Sequence, residues 1–583
     1  MTVMRPLAPE EQMSPGIAGL SRQTKRATSG IYVAMLLCTV ALVPFMLYMG
    51  SRYGTALVLS GLAAVVLMAL TVRAPIFGFY TLAFAAVVIE QNPLTMPIGT
   101  DKLYIFSWPG RLSGLPERPI GFYMLALILI FSAIRLATRK GPAVRGGEML
   151  WPFLAFLACV VMGIVHGLAT GGNFRIIVLE VRPFWYLFAT YLVAYNLVSE
   201  KRHIMTFLWI LVIGTFVKAL QGCYLVIVEL HGHISGGANE IMAHEQSYFF
   251  VLVLLLVLLA ILTKRMRALM WVAVASLPFL IIALLANNRR ADYLAFVLGA
   301  VAVWLLAIAT EKPRRKQLIT SFITCVVVMS LYIVVFGVIL GKTHTPISEP
   351  AVSVISVIHP SQTDARDLAS NLYRYFEDAD LQFTEKQNPI LGYGFGKPFL
   401  QPDPLPNILA LDPYYLYIPH NNVLWIWMRL GPLGYLAFWY LFGSAIVRAG
   451  AIMKRLQDPD LRMVAMFAVG AFIMEIPLAY GDYQIYFYRN VFFTGLLIGI
   501  LLRLPAIDQK IAADRAEAEA ARELKSRRSN ITRPIGRQVA SNPEEGATVR
   551  RRVPVGVGAG LAATRATHAT ELRSRYMARV WDP

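Results

Sequence analysis

Cysteine and charged side chains are both scarce in this chain of 583 residues. It contains 4 cysteines, and Asp, Glu, Lys and Arg together make up 15% of its residues, whereas soluble domains average about 25%. The cysteines Cys38, Cys159, Cys223 and Cys325 all fall in apolar runs without metal-ligand spacing. The sequence therefore excludes a disulfide framework and predicts that these thiols are small buried hydrophobic groups.

Apolar residues are correspondingly abundant, at 57% of the chain with a mean hydropathy of +0.56. Continuous runs such as 31–50 and 149–167 match the roughly 20 apolar residues that cross a bilayer as a helix. Because the runs do not alternate, they exclude a β-barrel. The first run is too long for a signal peptide and lacks a cleavage pattern, so we expect an anchored first span. The sequence thus predicts an all-α polytopic membrane protein.

The charges of the loops predict a topology. We expect about fourteen transmembrane helices, at 31–50, 54–71, 75–91, 120–136, 149–167, 181–198, 204–226, 247–263, 268–287, 291–309, 318–340, 421–447, 461–480 and 486–503. With the N-terminus inside, the basic loops all become cytoplasmic: 135–145, 201–202, 264–267, 312–316 and 448–462. The net charge of +19 therefore follows the positive-inside pattern and does not indicate nucleic-acid binding.

This topology divides the chain into three parts. We expect a cytoplasmic segment at 1–30, a transmembrane domain at 31–503, and a basic cytoplasmic tail at 504–583. The tail is predicted to be helical over 507–528 and then disordered, and we interpret it as a solvated segment drawn to anionic lipid rather than a catalytic one.

The longest outer loop, 341–420, precedes the twelfth span. A structureless loop of this length is unusual, so we expect it to be functional. Its residues 373–386 have the pattern of a short amphipathic helix lying along the outer surface.

Several arginines break the positive-inside rule by lying beside outer span ends, namely Arg175, Arg182, Arg289, Arg290 and Arg489. Charge at this boundary is costly unless it is paired or has a task. One interpretation is that these side chains snorkel to lipid headgroups. The other, favoured by three separate clusters, is a site for a lipid-linked phosphate or pyrophosphate.

Two further segments carry chemistry. The stretch QNPILGYGFG at 387–396 contains Gly392 and Gly394 and predicts a tight turn that approaches a ligand or another helix. His420 follows Pro419 at the outer mouth of the twelfth span. A neutral imidazole accepts a proton from a hydroxyl, although an isolated interfacial histidine is more often structural.

Three sequence segments resemble segments of bacterial O-antigen ligases and Wzy-type polysaccharide polymerases, and they occur in the same order as in that family. They are ANNRRADYLAF, NPILGYGFG and HNNVLWIWMRLGPLG, and they cover about 285–445. The resemblance implies a GT-C-like architecture and inverting glycan transfer that is independent of metal and cofactor. It implies an undecaprenyl-pyrophosphate-linked donor and a sugar-hydroxyl acceptor, with the active site on the periplasmic face of the bacterial inner membrane.

By position, the resemblance makes His420 the residue that activates the acceptor, and Arg290 and Arg182 the residues that hold the donor pyrophosphate. The family often has a small residue before the turn arginine and Gly or Ser after it, whereas Arg289 precedes and Ala291 follows here. Arg289 and Arg175 therefore stay as alternatives. The remaining candidates for the substrate cleft are Asn421, Asn422, Gly392, Gly394, Arg374, Asp482 and Arg489.

Two groups of residues near the outer face each allow two interpretations. No outer acidic cluster resembles the metal site of other lipid-linked glycosyltransferases, but Glu240, Glu245 and Asp292 are not excluded as ligands. Four tyrosines near the last outer loop fit either a sugar cleft or an interfacial aromatic belt: Tyr480, Tyr483, Tyr486 and Tyr488.

We favour a polymerase that joins repeat units over a ligase that moves glycan to lipid A core or protein. A polymerase implies a chain-length regulator and a repeat-unit flippase as partners, together with membrane lipids. The rival class is a transporter or flippase of lipid-linked glycan, but no internal repeat is visible and the polar clusters lie at the outer edge. A structural scaffold leaves the arginines and the glycine turn unexplained.

Overall fold

The computed structural model describes residues 69–89, 120–138, 144–232, 241–340, 365–408 and 414–531, with single positions at 66, 348, 350–352 and 355. These residues form helices and turns, and no β-strand occurs among them. The expected segments 1–30 and 31–50, most of 54–71, and the tail beyond 531 lie outside the described residues.

The helices follow one another in the order α1 Pro75–Val88, α2 Ile120–Thr138, α3 Leu150–Ala169, α4 Phe174–Leu197, α5 Lys201–Val228, α6 His244–Thr263, α7 Arg267–Asn287, α8 Arg290–Thr310, α9 Arg315–Tyr332, α10 Ala365–Lys386, α11 Asn422–Arg455, α12 Pro459–Gly481 and α13 Tyr488–Ile531. A short 3-10 turn, Lys312–Arg314, leads into α9, and a π-helical segment, Ile333–Ile339, continues it.

Within the described residues, ten helices are long and apolar enough to cross a membrane, from Leu150–Ala169 to Tyr488–Ser526. They coincide with ten of the expected spans. The expected span 75–91 is a shorter apolar helix, Pro75–Val88, and 120–136 falls within the 19-residue helix α2. The all-helical polytopic class is thus confirmed, whereas the total of fourteen spans and the GT-C-like architecture stay predictions.

Polar caps fix where several of these helices begin. Asn173 accepts hydrogen bonds from the backbone of Arg175 and Ile176 at the start of α4. Asp458 does the same for Asp460 and Leu461 at the start of α12. Such caps satisfy backbone N–H groups that have no partner inside the helix.

Glycines bring α8 and α12 close together. A Cβ atom on Gly299 of α8 would lie 2.5 Å from Met474 of α12, and one on Gly470 would lie 2.6 Å from Val303. Small residues allow helix backbones to approach closely where lipid supplies no hydrophobic drive. The contact places the first turn of α8 beside the end of α12, where the candidate site lies.

Helix α11 is broken at Gly431, which has φ 65° and ψ −174°, next to Pro432. Because proline lacks an N–H, the carbonyl of Met428 loses its helical partner. The N–H of Tyr393, in the glycine turn, donates to that carbonyl at 2.6 Å, and Gly394 donates to Arg429 O at 3.1 Å. The turn therefore packs against a helix, which is one of the two roles that its sequence suggested.

A buried ion pair fastens this turn. Arg429 Nη2 lies 2.7 Å from Glu180 of α4, and both side chains are fully buried. Arg429 also donates to the carbonyls of Gly394 at 2.9 Å and Tyr417 at 3.1 Å, while Gly396 N–H donates to Glu180 at 2.5 Å. Breaking one partner of such a pair leaves an uncompensated buried charge.

The chain divides into two compact units, Met1–Ala516 and Glu517–Pro583. In the second, the described residues 517–531 are the last part of helix α13. The stretches expected to be helical, 373–386 and 507–528, are helical, and the first begins earlier, at Ala365.

The cysteine prediction was partly wrong. Cys159 and Cys223 are buried free thiols, but Cys325 is exposed. Cys325 lies on α9, and only 6% of the apolar stretch that contains this helix is buried inside the protein, because few described helices pack against it. Cys38 lies outside the described residues.

Candidate functional site

A cavity of about 530 Å³ opens where α8 begins, α12 ends and α10 crosses the start of α11. Its lining residues are Arg290, Ala291, Tyr293, Leu294, Asn371, Arg374, Glu377, Asp378, His420, Asn421, Pro477, Tyr480 and Gly481. His420, Arg290, Arg374 and Asn421, all named from the sequence, therefore share one cavity, although Arg290 and Arg374 are far in the chain from His420 and Asn421.

His420 is held by a buried carboxylate. Its Nδ1 lies 3.2 Å from both Oε1 and Oε2 of Glu377, and its backbone N–H donates to Glu377 Oε2 at 2.9 Å. The Glu377 side chain is 1% exposed and that of His420 is 23% exposed. Because Nδ1 faces Glu377, the other ring nitrogen, Nε2, is the one left to act as a base.

Two tyrosines flank this imidazole edge to face. The ring centroid of Tyr373 lies 5.6 Å from that of His420, and the centroid of Tyr483 lies 5.2 Å away. Tyr483 also donates its N–H to His420 O at 2.7 Å and has φ 37°, in the left-handed region. A non-glycine residue there is strained and needs support from its surroundings, so the loop after α12 is shaped around His420.

The two asparagines after His420 anchor the segment. Asn421 Oδ1 accepts from Leu424 N–H at 3.1 Å as the cap of α11, and its Nδ2 donates to Asp378 at 3.1 Å. Asn422 is fully buried and accepts from Tyr486 N–H at 3.2 Å. Asn421 thus faces the cavity, whereas Asn422 ties the last outer loop to α11.

A smaller pocket of about 70 Å³ adjoins the cavity and shares Arg290, Ala291 and Arg374 with it. Arg289, Asn288, Ser370 and Asp482 complete its lining. Arg290 is also the first residue of α8, and its Nη2 donates to Asn371 at 3.2 Å. Three guanidinium groups beside a helix N-terminus form a favourable environment for an anion.

Asp482 supplies a negative charge to this pocket. It accepts from Gln484 at 2.9 Å, and its Oδ1 lies 3.2 Å from Nδ1 of His244. Burial alone would raise the pKa of Asp482, but His244, Arg289 and Arg374 outweigh burial and hold that pKa below its ordinary value. Asp482 is therefore ionised at neutral pH and balances part of the arginine charge.

The segment that carries most of these site residues matches a known protein family. Residues 275–439 match the family model described as O-antigen ligase. This match supports the O-antigen ligase/Wzy-type family that the three sequence segments resemble. The matched segment runs from α7 into α11 and contains the glycine turn, Arg289, Arg290, α10 and His420. Together with the ten apolar helices of membrane-spanning length, the match supports a multi-pass membrane protein that contains an O-antigen ligase domain. No curated protein matches the chain.

Arg182 and Arg175, which precede the matched segment in the chain and were named from the sequence as donor ligands, line neither of the two pockets. The guanidinium of Arg182 lies 5.6 Å from the ring centroid of Tyr488, and Arg175 is exposed at the start of α4. Arg374 of α10, named from the sequence only as a cleft candidate, is the third arginine that the structure brings to Arg289 and Arg290.

Arg489 is buried away from the cavity among protein groups. It donates to the carbonyls of Ala86 and Val87 at 2.6 and 2.7 Å and to Gln246 at 2.6 Å, and it lies 3.3 Å from Glu245. These contacts fasten the end of α1 to α6 and α13. Its position is thus structural and does not fit the cleft role that its sequence suggested.

Gly392 and Gly394 are also packed against helices. A Cβ atom on Gly392 would lie 2.4 Å from Gly431 N, and one on Gly394 would lie 2.7 Å from Gly167 N of α3. Both residues have positive φ, 75° and 79°, which glycine adopts without strain. They shape the scaffold behind the cavity, and neither lines it.

Among the described residues, no group of three or more His, Cys, Asp or Glu side chains is arranged to hold a metal ion. Glu245 pairs with Arg489, Asp292 is buried, and Glu240 lies outside the described residues. Of the four tyrosines, Tyr480 lines the cavity and Tyr483 contacts His420, whereas Tyr488 contacts Tyr186 and Arg182. Metal independence stays a prediction.

Sequence reasoning missed the partners of His420 on α10. Asn371, Glu377 and Asp378 line the cavity, and Tyr373 contacts the imidazole. A signal was present, because Asn371, Arg374 and Asp378 recur at helical spacing and form one polar stripe. The amphipathic pattern identified the helix, and Arg374 was named as a cleft candidate, but the other residues of this polar face were not.

Proposed function

We propose that this protein transfers a glycan from undecaprenyl pyrophosphate to a sugar hydroxyl, on the periplasmic face of the inner membrane. One observation carries the proposal: within the family-matched segment, a histidine held by a carboxylate and three arginines line adjoining pockets at one end of the helices. A base and a pyrophosphate site are the two parts that this reaction needs.

The arginine pocket is the proposed donor site. Arg289, Arg290 and Arg374 neutralise the diphosphate, which makes it a better leaving group. The neighbouring wall of the main cavity contains Leu294 and Tyr480, which are 49% and 61% exposed. An exposed apolar wall beside the phosphate site suits the polyprenyl chain of such a donor.

His420 is the proposed general base. Its Nε2 takes the proton of the acceptor hydroxyl while the hydroxyl oxygen attacks the anomeric carbon. The bond from that carbon to the phosphate oxygen breaks, and its electron pair leaves with the pyrophosphate toward the arginines. Attack opposite the leaving group inverts the anomeric centre. Glu377 holds Nδ1–H and so keeps the lone pair on Nε2.

We favour polymerisation of repeat units over ligation to lipid A core. The expected fourteen spans and the long loop that ends at His420 support a polymerase, whereas the description of the matched family favours a ligase. The chemistry at His420 is the same in both cases.

A genetic comparison distinguishes the two. In a strain that carries His420→Ala, a lost polymerase leaves single repeat units attached to the acceptor, whereas a lost ligase leaves polymer on the lipid carrier and none on the acceptor. Electrophoresis of the extracted glycans separates these patterns. A normal glycan ladder, with the variant present in the membrane, would count against either function.

The topology predicted from the loop charges would put both termini in the cytoplasm. Lys201 and Arg455 lie at the ends of α5 and α11 that are opposite to the His420 end, and Arg503, within α13, donates to Val198 O just after α4. This distribution supports a cytoplasmic assignment for that end and a periplasmic one for the cavity.

A further inference from the structure

The wall that α10 contributes changes charge along the helix. Ser370 and Arg374 line the arginine pocket, whereas Asp378 lines only the main cavity. At a rise of 1.5 Å per residue, the step from Ser370 to Asp378 covers about 12 Å. One end of this wall is therefore cationic, and the other end, beside His420, is anionic.

Asp378 is half-buried and has a fixed orientation. Its Oδ1 accepts from Asn421 Nδ2 at 3.1 Å, and Asn421 Oδ1 caps α11 by accepting from Leu424 N–H. Because the cap uses the oxygen of the Asn421 amide, the amide nitrogen must face Asp378. Oδ2 of Asp378 accepts no hydrogen bond from the described part of the chain, which leaves it to a ligand in the cavity.

The charge of Asp378 decides which substrate fits there. Burial raises its pKa to about 6 although Asn421 donates to it, so the carboxylate is mostly ionised at pH 7. A diphosphate beside Asp378 would experience repulsion that is poorly screened at such short range. Sugar hydroxyls, in contrast, are good donors to a carboxylate, and hydrogen bonds to an ionised acceptor are the strong ones.

We propose that Asp378, oriented by Asn421, forms the acceptor subsite. Oδ2 accepts a hydrogen bond from a hydroxyl or amino group next to the reacting hydroxyl and thereby holds the latter toward His420 Nε2. The acceptor is then a neutral or amino sugar, because a carboxylate or phosphate at that position would face Asp378 and Glu377. This proposal rests on the proposed function and adds the chemical class of the acceptor.

The test uses the full-length protein in lipid nanodiscs with its undecaprenyl-pyrophosphate-linked glycan as donor. The acceptor probes are the delipidated glycan and the same glycan with its terminal sugar oxidised to a uronic acid. Wild type, Asp378→Asn, Asp378→Ser and a matched control, Glu385→Gln on the same helix, are compared for kcat and for acceptor KM. Binding of undecaprenyl pyrophosphate is measured separately.

We expect both Asp378 variants to raise acceptor KM roughly 10- to 100-fold, the range for losing a hydrogen bond to a charged group. Their affinity for undecaprenyl pyrophosphate should stay within twofold of wild type, and the control should match wild type throughout. Wild type should discriminate against the uronic acid, and Asp378→Asn should relax that discrimination.

Two results would overturn the proposal. An unchanged acceptor KM in both variants removes the subsite. A loss of kcat as complete as that of His420→Ala, with KM unchanged, makes Asp378 the base instead. In the same assay, wild-type transfer by His420→Ala would overturn the proposed function, so the two failures are distinguishable.

Discussion

Replacing Glu377 by Gln tests how the imidazole of His420 is held. Glu377 Oε2 accepts the backbone N–H of His420 at 2.9 Å, and Nδ1 lies 3.2 Å from each carboxylate oxygen. Glutamine has one carbonyl oxygen, and the backbone N–H requires it. The amide NH2 then faces Nδ1 and favours the tautomer with the proton on Nε2, which cannot accept the proton of the acceptor.

The expected magnitude follows from the role of the base. General-base catalysis contributes about 10²- to 10⁴-fold, and the corresponding Asp-to-Asn change in a serine-protease triad lowers kcat about 10⁴-fold. We expect Glu377→Gln to lower kcat at least about 10²-fold, or about 2.7 kcal/mol in the activation barrier. Donor and acceptor KM should change less than about threefold, because Glu377 acts through His420.

The assay is transfer by purified protein in nanodiscs, with Glu385→Gln as the matched control. A double-mutant cycle adds the decisive comparison. If Glu377 acts through the imidazole, Glu377→Gln should cost nothing further in a His420→Ala background. An additional 10²-fold loss in that background, or near-normal kcat in the single variant, would refute the reasoning.

Arg290→Lys and Arg374→Lys should each weaken undecaprenyl pyrophosphate binding about 10-fold in a direct binding assay, because lysine lacks the planar fork of arginine; unchanged affinity in both would remove the arginine pocket as donor site. Gly394→Ala should lower the melting temperature, because the added Cβ would lie 2.7 Å from Gly167 N and Gly394 has a φ of +79°. Gly443→Ala should leave the melting temperature unchanged, because open space surrounds Gly443. Equal melting temperatures for the two variants would contradict this packing. Acceptor KM should rise as pH falls through about 6, because burial raises the pKa of Asp378 to about 6 and the carboxylate protonates there; its charged neighbours are Glu377, Arg374 and His420. In steady-state kinetics, Asp378→Asn should abolish this rise. An identical rise in the variant would rule Asp378 out as its cause.

Much of the scaffold was predictable because each membrane span depends mainly on the residues within its own short stretch of sequence. An apolar run of sufficient length becomes a helix wherever backbone groups must be satisfied internally. The ten spans among the described residues matched for that reason. The π-helical end of α9 and the break at Gly431 were less visible, although Pro432 already indicated that the carbonyl of Met428 needs a partner from elsewhere.

The site was only partly predictable because its contacts are distant in sequence. His420 and Arg290 stood out through their position beside outer span ends. Glu377 lies 43 residues before His420, and only the path of the loop brings the two together. From the sequence, Arg182 was a candidate for holding the donor pyrophosphate and Arg374 only a candidate for the substrate cleft. In the structure it is Arg374 of α10, not Arg182, that lines the pocket with Arg289 and Arg290.

Transfer by His420→Ala and His420→Gln, measured with an undecaprenyl-pyrophosphate-linked donor in nanodiscs, tests the central claim most directly. Because His420 Nε2 is the proposed base, we predict a loss of at least about 10²-fold in kcat. Binding of undecaprenyl pyrophosphate and the melting temperature should stay near their wild-type values. Transfer at the wild-type rate by either variant would contradict the account.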